Sequence, residues 1–168
     1  MEIDVKINGN GELSKRTYEN NLDEILQNSN TIYVFDVDGT LTDFNYDTRT
    51  FDRQVEVANS YDNVRPLKTM QRLIDKLDKD KVYVCSRSIF RKENESKTRF
   101  LVKHFNISPS KIFFVSENID KLNVFKFIQD ETGIDDEHLL VVEDNPFVLN
   151  RVLEKTNYSN VHVSHFVE

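Results

Sequence analysis

The sequence is poor in cysteine and has no long hydrophobic run. Its single cysteine, Cys85, excludes an intrachain disulfide and indicates a reducing compartment. No apolar stretch approaches the roughly 20 residues that a membrane-spanning helix needs. The first residues lack the basic start and apolar core of a signal peptide. Together these absences favour a cytoplasmic protein with no membrane partner.

The charge balance is acidic, because 22 lysines and arginines stand against 29 aspartates and glutamates, for a net charge of −7. This balance argues against broad, nonspecific binding to nucleic acid, although it leaves room for a local basic site. Hydrophobic residues make up 38% and charged residues 30%, as in soluble globular proteins, and 168 residues suit one domain.

Five short apolar runs rich in β-branched residues predict five strands. The runs are continuous, which is typical of strands covered on both faces in a parallel sheet. They span residues 31–35, 82–85, 112–115, 139–142 and, more weakly, 161–163.

Helical stretches separate these strands. An apolar stripe follows the first strand, a second helix is predicted over about 94–105, a third after Asp120 and a fourth from near Pro146. This alternation predicts an α/β domain, doubly wound and Rossmann-like, with a mostly parallel sheet in three α/β/α layers.

Two stretches interrupt the alternation. Residues 1–30 contain a possible strand over 3–7, an Asn8-Gly9 turn and a polar helix over about 14–27, and we expect an N-terminal decoration there. Residues 43–62 are polar and aromatic with no clear period, which predicts a loop or flap beside the first strand.

Reactive side chains follow the predicted strands at their carboxyl ends, where open α/β sheets bind ligands. Asp36 and Asp38 come directly after the first strand and precede Gly39, which suggests a tight loop holding both carboxylates near one point. Such carboxylates are costly to bury unless a metal ion or hydrogen bonds satisfy them. One can attack phosphorus, while the other protonates the leaving oxygen and then activates water. An isolated Asp-x-Asp would more often be a turn. The longer string after a strand, Asp36-Val37-Asp38-Gly39-Thr40-Leu41-Thr42, favours a catalytic role.

The string from Phe35 to Leu41, Phe-Asp-Val-Asp-Gly-Thr-Leu, resembles the first motif of the haloacid dehalogenase (HAD) superfamily, Asp-x-Asp-x-Thr followed by an aliphatic residue. The resemblance implies that residues 31–168 form a HAD-like catalytic domain. It implies that Asp36 is the nucleophile and a Mg²⁺ ligand, and that Asp38 is the general acid/base with its backbone carbonyl on the metal. Thr40 belongs to the same motif and is expected to help bind phosphate. The second aspartate is typical of the family's phosphatases, so dehalogenation is not expected.

Hydroxyl and cationic groups follow the next two strands. Ser86 matches the Ser or Thr of the family's second motif, and Arg87 beside it can bind a phosphoryl oxygen; Ser88 is the alternative hydroxyl. After the third strand, Lys121 opens a predicted helix and matches the family's lysine, which stabilises the phosphoryl group in transfer. Lys126, one turn further along, is the alternative.

Two adjacent acids, Glu143 and Asp144, follow the fourth strand. Mg²⁺ prefers oxygen ligands and keeps several waters, so one or two carboxylates are enough to bind it. The family's fourth motif is an acidic pair or Gly-Asp at this place, which implies Asp144 as a metal ligand and Glu143 as a second or water-mediated one. The fuller pattern has another aspartate three to five residues later. This sequence lacks it, and Asn145 is a candidate replacement.

The resemblance therefore implies a Mg²⁺-dependent phosphomonoester hydrolase that works through an aspartyl-phosphate on Asp36. Family members often carry a cap domain after the first motif or between the second and third strands. Neither interval has room for a folded cap here. A capless site implies large or end-exposed substrates such as nucleic-acid ends, nucleotides or phosphoprotein segments.

A basic stretch at residues 87–92 bears on the substrate. With Lys97, Arg99 and Lys103 beyond it, this stretch can grip a phosphate backbone while Phe90 stacks on a base, although a solvated helix face fits equally well. Ser86 followed by Arg87 and further basic residues, and the spacing from Lys121 to the acid pair, also resemble the 3′-phosphatase domain of phage-type polynucleotide kinase-phosphatases. The sequence has no Gly-x-x-x-x-Gly-Lys-Ser/Thr loop, so no kinase half is expected. Nucleic-acid 3′-phosphate ends are thus the first substrate class to expect, and nucleotides or other small molecules are the alternative.

A different class of protein uses similar residues. A receiver domain carries a phosphorylated aspartate, other acids, a Ser/Thr and a lysine on a doubly wound sheet, and it signals without turnover. The Asp36-Val37-Asp38-Gly39-Thr40 string argues against it, because receivers lack the second acid two residues on. A degenerate HAD domain kept for binding is a third interpretation, supported only by the short fourth motif.

Overall fold

The computed structural model describes residues 2–6, 13–17, 30–42 and 60–166. These segments form one seven-stranded sheet. Its strands are β1 (Glu2–Lys6), β2 (Leu13–Thr17), β3 (Ile32–Phe35), β4 (Val82–Arg87), β5 (Ile112–Val115), β6 (Leu139–Glu143) and β7 (Ser159–His162). The α-helices in this part of the chain are α1 (Lys68–Asp75), α2 (Arg91–Phe105) and α3 (Lys121–Thr132).

The strand order is β2-β1-β7-β6-β3-β4-β5, with the five strands from β7 to β5 parallel. In the parallel part of the sheet, the chain enters in the middle at β3, continues outward through β4 and β5, and then crosses back to β6 and β7. The predicted doubly wound sheet is therefore confirmed. β1 and β2 pair antiparallel with each other, and β1 joins the edge strand β7 at Lys6 and Asn160.

Two hydrophobic cores lie on opposite faces of this sheet. Alternate strand residues point to opposite faces, so Phe35 packs in one core and Val34 in the other. The first core holds α1 and α2 through Met70, Ile74, Phe100, Leu101 and Phe105. The second holds α3 and the segment after β6 through Phe125, Ile128, Val148 and Val152. This arrangement confirms three α/β/α layers.

The two longer helices end in left-handed residues. Asn106 (φ 54°) follows α2 and Gly133 (φ 67°) follows α3, and both positions let the chain turn back toward the next strand. The predicted fourth helix is a π-helical turn, Val148–Val152, which buries the valine at each end.

The polar helix predicted over about 14–27 is wrong at its start, because Leu13–Thr17 is β2 and pairs with β1 along its whole length. Sheet pairing overrides the local polar composition there. The Asn8-Gly9 turn, residues 18–29 and most of the predicted 43–62 flap lie outside the described residues.

Between β4 and β5 the chain forms only α2 and a short 3₁₀ turn, so this interval holds no inserted cap. Within the described ranges, every helix falls short of the length and apolarity needed to cross a membrane.

Candidate active site

The loop after β3 is anchored to the neighbouring strand and folded tightly on itself. The backbone N–H of Asp36 donates to the carbonyl of Val142 in β6 at 3.0 Å, and the N–H of Leu41 returns to the Val37 carbonyl at 2.8 Å. Gly39 has a left-handed backbone (φ 70°), and a Cβ there would lie 2.1 Å from Oδ2 of Asp144. Glycine thus lets the β3 and β6 loops approach until their carboxylates share one site.

Lys121 lies at the centre of the buried acids. Its Nζ donates to Oδ1 of Asp36 at 3.0 Å and to Oε2 of Glu143 at 2.7 Å, and the lysine is only 2% exposed. α3 begins at this residue, so the helix start directs the ammonium group toward the ends of β3 and β6. Lys126, the alternative lysine, is exposed on the same helix. The geometry thus favours Lys121 as the cation of the site.

Burial and mutual repulsion perturb the acids here. Burial raises the pKa of Asp36 to about 7, and the nearby Glu143 adds to the rise while Lys121 opposes it. Burial also raises the pKa of Asp144 to about 6, reinforced by Asp36. For Lys121 burial opposes the charged form, but the carboxylates of Asp36 and Glu143 outweigh it and hold its pKa above the ordinary value. The single ammonium group therefore leaves the acids incompletely neutralised.

Glu143 connects this lysine to the β6 loop. Oε2 accepts from Lys121, while Oε1 accepts from the backbone N–H groups of Asp144 and Asn145, each at 3.2 Å. Burial raises the pKa of the Glu143 carboxyl, and Lys121 opposes the rise. The amide Oδ1 of Asn145 accepts from the N–H of Phe147 at 2.9 Å, so this side chain is engaged in a turn at the start of the next segment.

The acids fit a divalent cation. One oxygen each from Asp36, Glu143 and Asp144 lies within 4.8 Å of the others. These three carboxylates and the Lys121 ammonium together leave two negative charges, which one Mg²⁺ would balance. The ligand atoms are all oxygen, the set that Mg²⁺ prefers. The close approach across Gly39 brings Asp144 to the side of the Asp36 loop.

Asp38 is held by a separate pair of side chains. Lys97 Nζ, on α2, donates to Oδ2 of Asp38 at 2.9 Å, and the hydroxyl of Tyr61 donates to Oδ1. Lys97 is fully buried, whereas the side chain of Asp38 is 38% exposed. Asp38 therefore faces solvent, where a substrate can reach it, while buried groups fix its direction.

The predicted phosphate-binding residues fall in different settings. Ser86 is buried at the end of β4, and its Oγ accepts from Lys97 at 3.0 Å. Arg87 is exposed, with Nε donating to the carbonyl of Ser116 at 3.0 Å. The hydroxyls of Thr40 and Ser88 are buried and have no hydrogen-bond partner among the described residues, so both keep hydrogen-bonding capacity to offer a ligand.

Known proteins resemble this chain only distantly. No protein-family model matches it, and no curated protein does. One similar solved structure is 3-deoxy-D-manno-octulosonate 8-phosphate phosphatase from Moraxella catarrhalis, in complex with magnesium, phosphate and KDO. It is 20% identical, with a TM-score of 0.46, over 79% of this chain and 68% of that one. Another is the HAD domain of effector protein Lem4 from Legionella pneumophila, with 15% identity, a TM-score of 0.45 and coverage of 79% and 84%. Both TM-scores lie below 0.5.

Sequence reasoning missed Lys97 and Tyr61 as parts of this site. The prediction that Lys97 is a surface cation facing a phosphate backbone is wrong, because Lys97 is fully buried and bonded to Asp38. A signal was present: Lys97 lies one turn from Glu93 and from the buried Leu101, on the inward stripe of α2. Tyr61 lies in a stretch without periodicity, and nothing in the sequence marks it.

One further residue supports the β6 loop. Nδ1 of His162 accepts from the backbone N–H of Ser164 at 3.1 Å, so Nε2 carries the hydrogen and donates to the Asp144 carbonyl at 3.0 Å. The final parallel strand, β7, therefore anchors the peptide that carries Asp144.

Proposed function

We propose that this protein is a Mg²⁺-dependent phosphomonoester hydrolase of the HAD type, with Asp36 as nucleophile and Asp38 as general acid/base. The observation that carries the proposal is the buried contact of Lys121 with Asp36 and Glu143, with Asp144 close by and Asp38 fixed separately on the solvent side. The site thus offers one carboxylate beside a cation and a second carboxylate held apart from it, the two roles that the chemistry needs.

In the first step, a carboxylate oxygen of Asp36 forms a bond to phosphorus and the bond from phosphorus to the leaving oxygen breaks. Lys121 stabilises the negative charge spread over the phosphoryl oxygens. Asp38, protonated at this stage, gives its proton to the leaving oxygen, so the alcohol departs neutral.

In the second step, a water molecule attacks phosphorus and the bond between phosphorus and Asp36 breaks, which releases inorganic phosphate. Asp38, now ionised, accepts the proton of that water and is ready for the next cycle. Ser86, Thr40 and Arg87 are proposed to bind the remaining phosphoryl oxygens, since each brings a hydrogen-bond donor to the same end of the sheet.

Asp36 and Asp144 would hold Mg²⁺, with the backbone carbonyl of Asp38 as a third protein ligand and Glu143 as a direct or water-mediated one. Bound there, the ion supplies charge neutralisation and orientation of the phosphoryl group. Glu143 also positions Lys121 and the β6 loop, because both of its oxygens already accept hydrogen bonds.

The test is phosphate release from 4-nitrophenyl phosphate with Mg²⁺ and with EDTA, in the wild type and in Asp36→Asn. We expect Mg²⁺-dependent release that Asp36→Asn abolishes, with Asp75→Asn, an exposed aspartate of α1, as the matched control. Wild-type-like activity in a clean Asp36→Asn preparation would overturn the assignment. Stable phosphorylation without phosphate release would favour the phospho-acceptor or binding-domain alternative.

For the substrate, we propose nucleic-acid 3′-phosphate ends. Two observations support this class: the absence of an inserted cap between β4 and β5, and the exposed Arg87, Phe90, Arg91 and Lys92 beside the site. The exposed basic surface is smaller than the sequence predicts, because Lys97 is buried and Arg99 is paired with Asp62 at 2.9 Å.

The substrate proposal is tested by a screen of 3′- and 5′-phosphorylated oligonucleotides, mononucleotides, sugar phosphates and phosphopeptides. We expect the 3′-phosphorylated oligonucleotide to be hydrolysed fastest and its advantage to shrink in an Arg91→Ala/Lys92→Ala variant. Rapid turnover of mononucleotides or sugar phosphates with oligonucleotide ends ignored would favour the alternative, a nucleotidase or other small-molecule phosphatase.

A further inference from the structure

We propose that Lys97 and Tyr61 are positioning residues that fix the proton-carrying oxygen of Asp38 and orient the Ser86 hydroxyl. The inference rests on the proposed function, since it concerns how the general acid/base of that reaction is held. It is carried by the contacts of two side chains, one on α2 and one in the 3₁₀ turn Ser60–Asp62.

Lys97 joins three parts of the fold at one point. Its ammonium contacts Oδ2 of Asp38 at 2.9 Å, Oγ of Ser86 at 3.0 Å, the Arg87 carbonyl at 2.8 Å and Oε1 of Glu93 at 3.1 Å. The β3 loop, the end of β4 and the first turns of α2 are therefore tied to the same cation. A lysine that is 0% exposed is rare, and its burial needs this full set of acceptors.

The two oxygens of Asp38 are distinguished by their partners. Lys97 can only donate, so the oxygen it contacts, Oδ2, stays an acceptor. The hydroxyl of Tyr61 can donate or accept, so it can remain bonded to Oδ1 whether or not that oxygen carries a proton. Oδ1 is thus the oxygen that passes the proton to the leaving group and takes it back from water.

The same lysine directs Ser86. Because the Ser86 oxygen accepts from Lys97, the hydroxyl hydrogen points elsewhere, and its contact with the Arg87 carbonyl is long, at 3.4 Å. That hydrogen can turn to a phosphoryl oxygen at little cost, which makes Ser86 a donor in the site. Lys97 therefore couples the orientation of the acid/base to that of a phosphate-binding hydroxyl.

Tyr61 adds packing to this arrangement. It is 2% exposed, its ring faces Lys97 with Nζ 5.1 Å from the ring centroid, and it packs edge-on against Phe100 of α2. This packing holds the Tyr61 hydroxyl and the Lys97 ammonium group in fixed relative positions.

The test compares two substrates that differ in how much they need an acid. In 4-nitrophenyl phosphate the leaving group departs without a proton, whereas in benzyl phosphate the alkoxide needs one. We measure kcat/KM for both in the wild type, Tyr61→Phe and Lys97→Met, together with the thermal unfolding of each protein. For benzyl phosphate we expect kcat/KM to fall by about tenfold in Tyr61→Phe and about 100-fold in Lys97→Met, with much smaller losses for 4-nitrophenyl phosphate.

Matched controls separate positioning from general loss of stability. Tyr158→Phe removes the hydroxyl of a buried tyrosine on the opposite face of the sheet, and Lys68→Met removes an exposed lysine from α1. Both should leave the ratio of the two kcat/KM values unchanged. Tyr61→Phe keeps the ring and so stays informative even if Lys97→Met fails to fold.

The possible results distinguish a failure of the proposed function from a failure of this inference. A wild type with no Mg²⁺-dependent hydrolysis of either substrate would overturn the proposed function and this inference with it. An active wild type in which Tyr61→Phe lowers both kcat/KM values equally, or neither, would overturn this inference alone. A selective loss on benzyl phosphate supports it.

Discussion

At the residue scale, two glycines with nearly the same backbone angle have very different surroundings. Gly39 (φ 70°) faces the Asp144 carboxylate so closely that a Cβ would overlap it, whereas a Cβ on Gly133 (φ 67°) would meet no described atom within 4 Å. At Gly133 a side chain would add only the strain of a left-handed backbone. At Gly39 it would also prevent the β3 and β6 loops from approaching each other.

This contrast gives a paired prediction. Gly133→Ala should lower the free energy of unfolding by about 1 kcal/mol and leave activity unchanged, because only backbone strain is added. Gly39→Ala should lose stability by at least as much and also lose roughly 100-fold in kcat/KM, because Asp144 must move. Chemical denaturation and phosphate release measure the two effects. If both variants kept full activity, the Gly39 contact would have no role in the site.

At the element scale, the candidate site lies where the carboxyl ends of β3, β4 and β6 meet. Their apolar, β-branched runs identified the strands in the sequence, and the order of motifs along the chain placed Asp36, Ser86 and Glu143 at neighbouring strand ends. The start of α3 supplied Lys121. Local pattern and parallel topology are enough to predict this much of the fold and site.

The remaining parts depend on packing between distant elements. In the sequence, Lys97 looks like an ordinary surface lysine. Only the packing of α2 against β3 and β4 brings it to Asp38, which is 59 residues away along the chain. The strand Leu13–Thr17 is specified by pairing with β1 and not by its own composition. Tyr61 lies in a 3₁₀ turn that no hydrophobic periodicity in the sequence predicts. Such contacts follow from tertiary structure, which a single sequence does not display.

The support of the β6 loop by β7 is also an element-scale feature. His162→Ala should weaken Mg²⁺ binding by roughly tenfold, because the peptide that carries Asp144 loses its hydrogen bond to Nε2. His162→Gln restores a donor and should recover part of the affinity, and Ser164→Ala, which removes only a hydroxyl on the other side of the ring, should have little effect. Titration calorimetry with Mg²⁺ checks all three. Unchanged affinity in His162→Ala would rule out this support.

At the scale of the whole molecule, the acidic site links stability to pH and to Mg²⁺. The pKa of Asp36 is raised to about 7 by burial, whereas the pKa of an aspartate in the unfolded chain is about 3.9. The folded chain therefore holds this proton more tightly than the unfolded chain. Its stability falls as the pH rises from about 4 through 7, where the buried carboxyl must ionise. Asp144, with a pKa raised to about 6, acts in the same direction.

Mg²⁺ should reverse this loss at neutral pH. Near pH 7.5, Mg²⁺ at about 100 times its Kd should add about 2.7 kcal/mol and raise Tm by roughly 5–10 °C over the chelated protein. Near pH 5 the same addition should do much less, because protons compete for Asp36 and Asp144. Differential scanning fluorimetry measures the shifts, with Asp144→Asn as the variant that should lose them. A shift of equal size at both pH values would contradict this linkage.

In the proposed mechanism, Asp36 becomes phosphorylated and Asp38 is needed to release the phosphate. The most direct measurement is peptide-mapping mass spectrometry of Asp38→Asn after incubation with Mg²⁺ and 4-nitrophenyl phosphate and an acid quench. This substrate needs no acid in the first step, so the intermediate should form and then persist without the base. We expect one phosphoryl group on Asp36, removed by hydroxylamine and absent from an Asp36→Asn/Asp38→Asn control. A phosphoryl group on another residue, or hydrolysis without a phosphorylated protein, would contradict it.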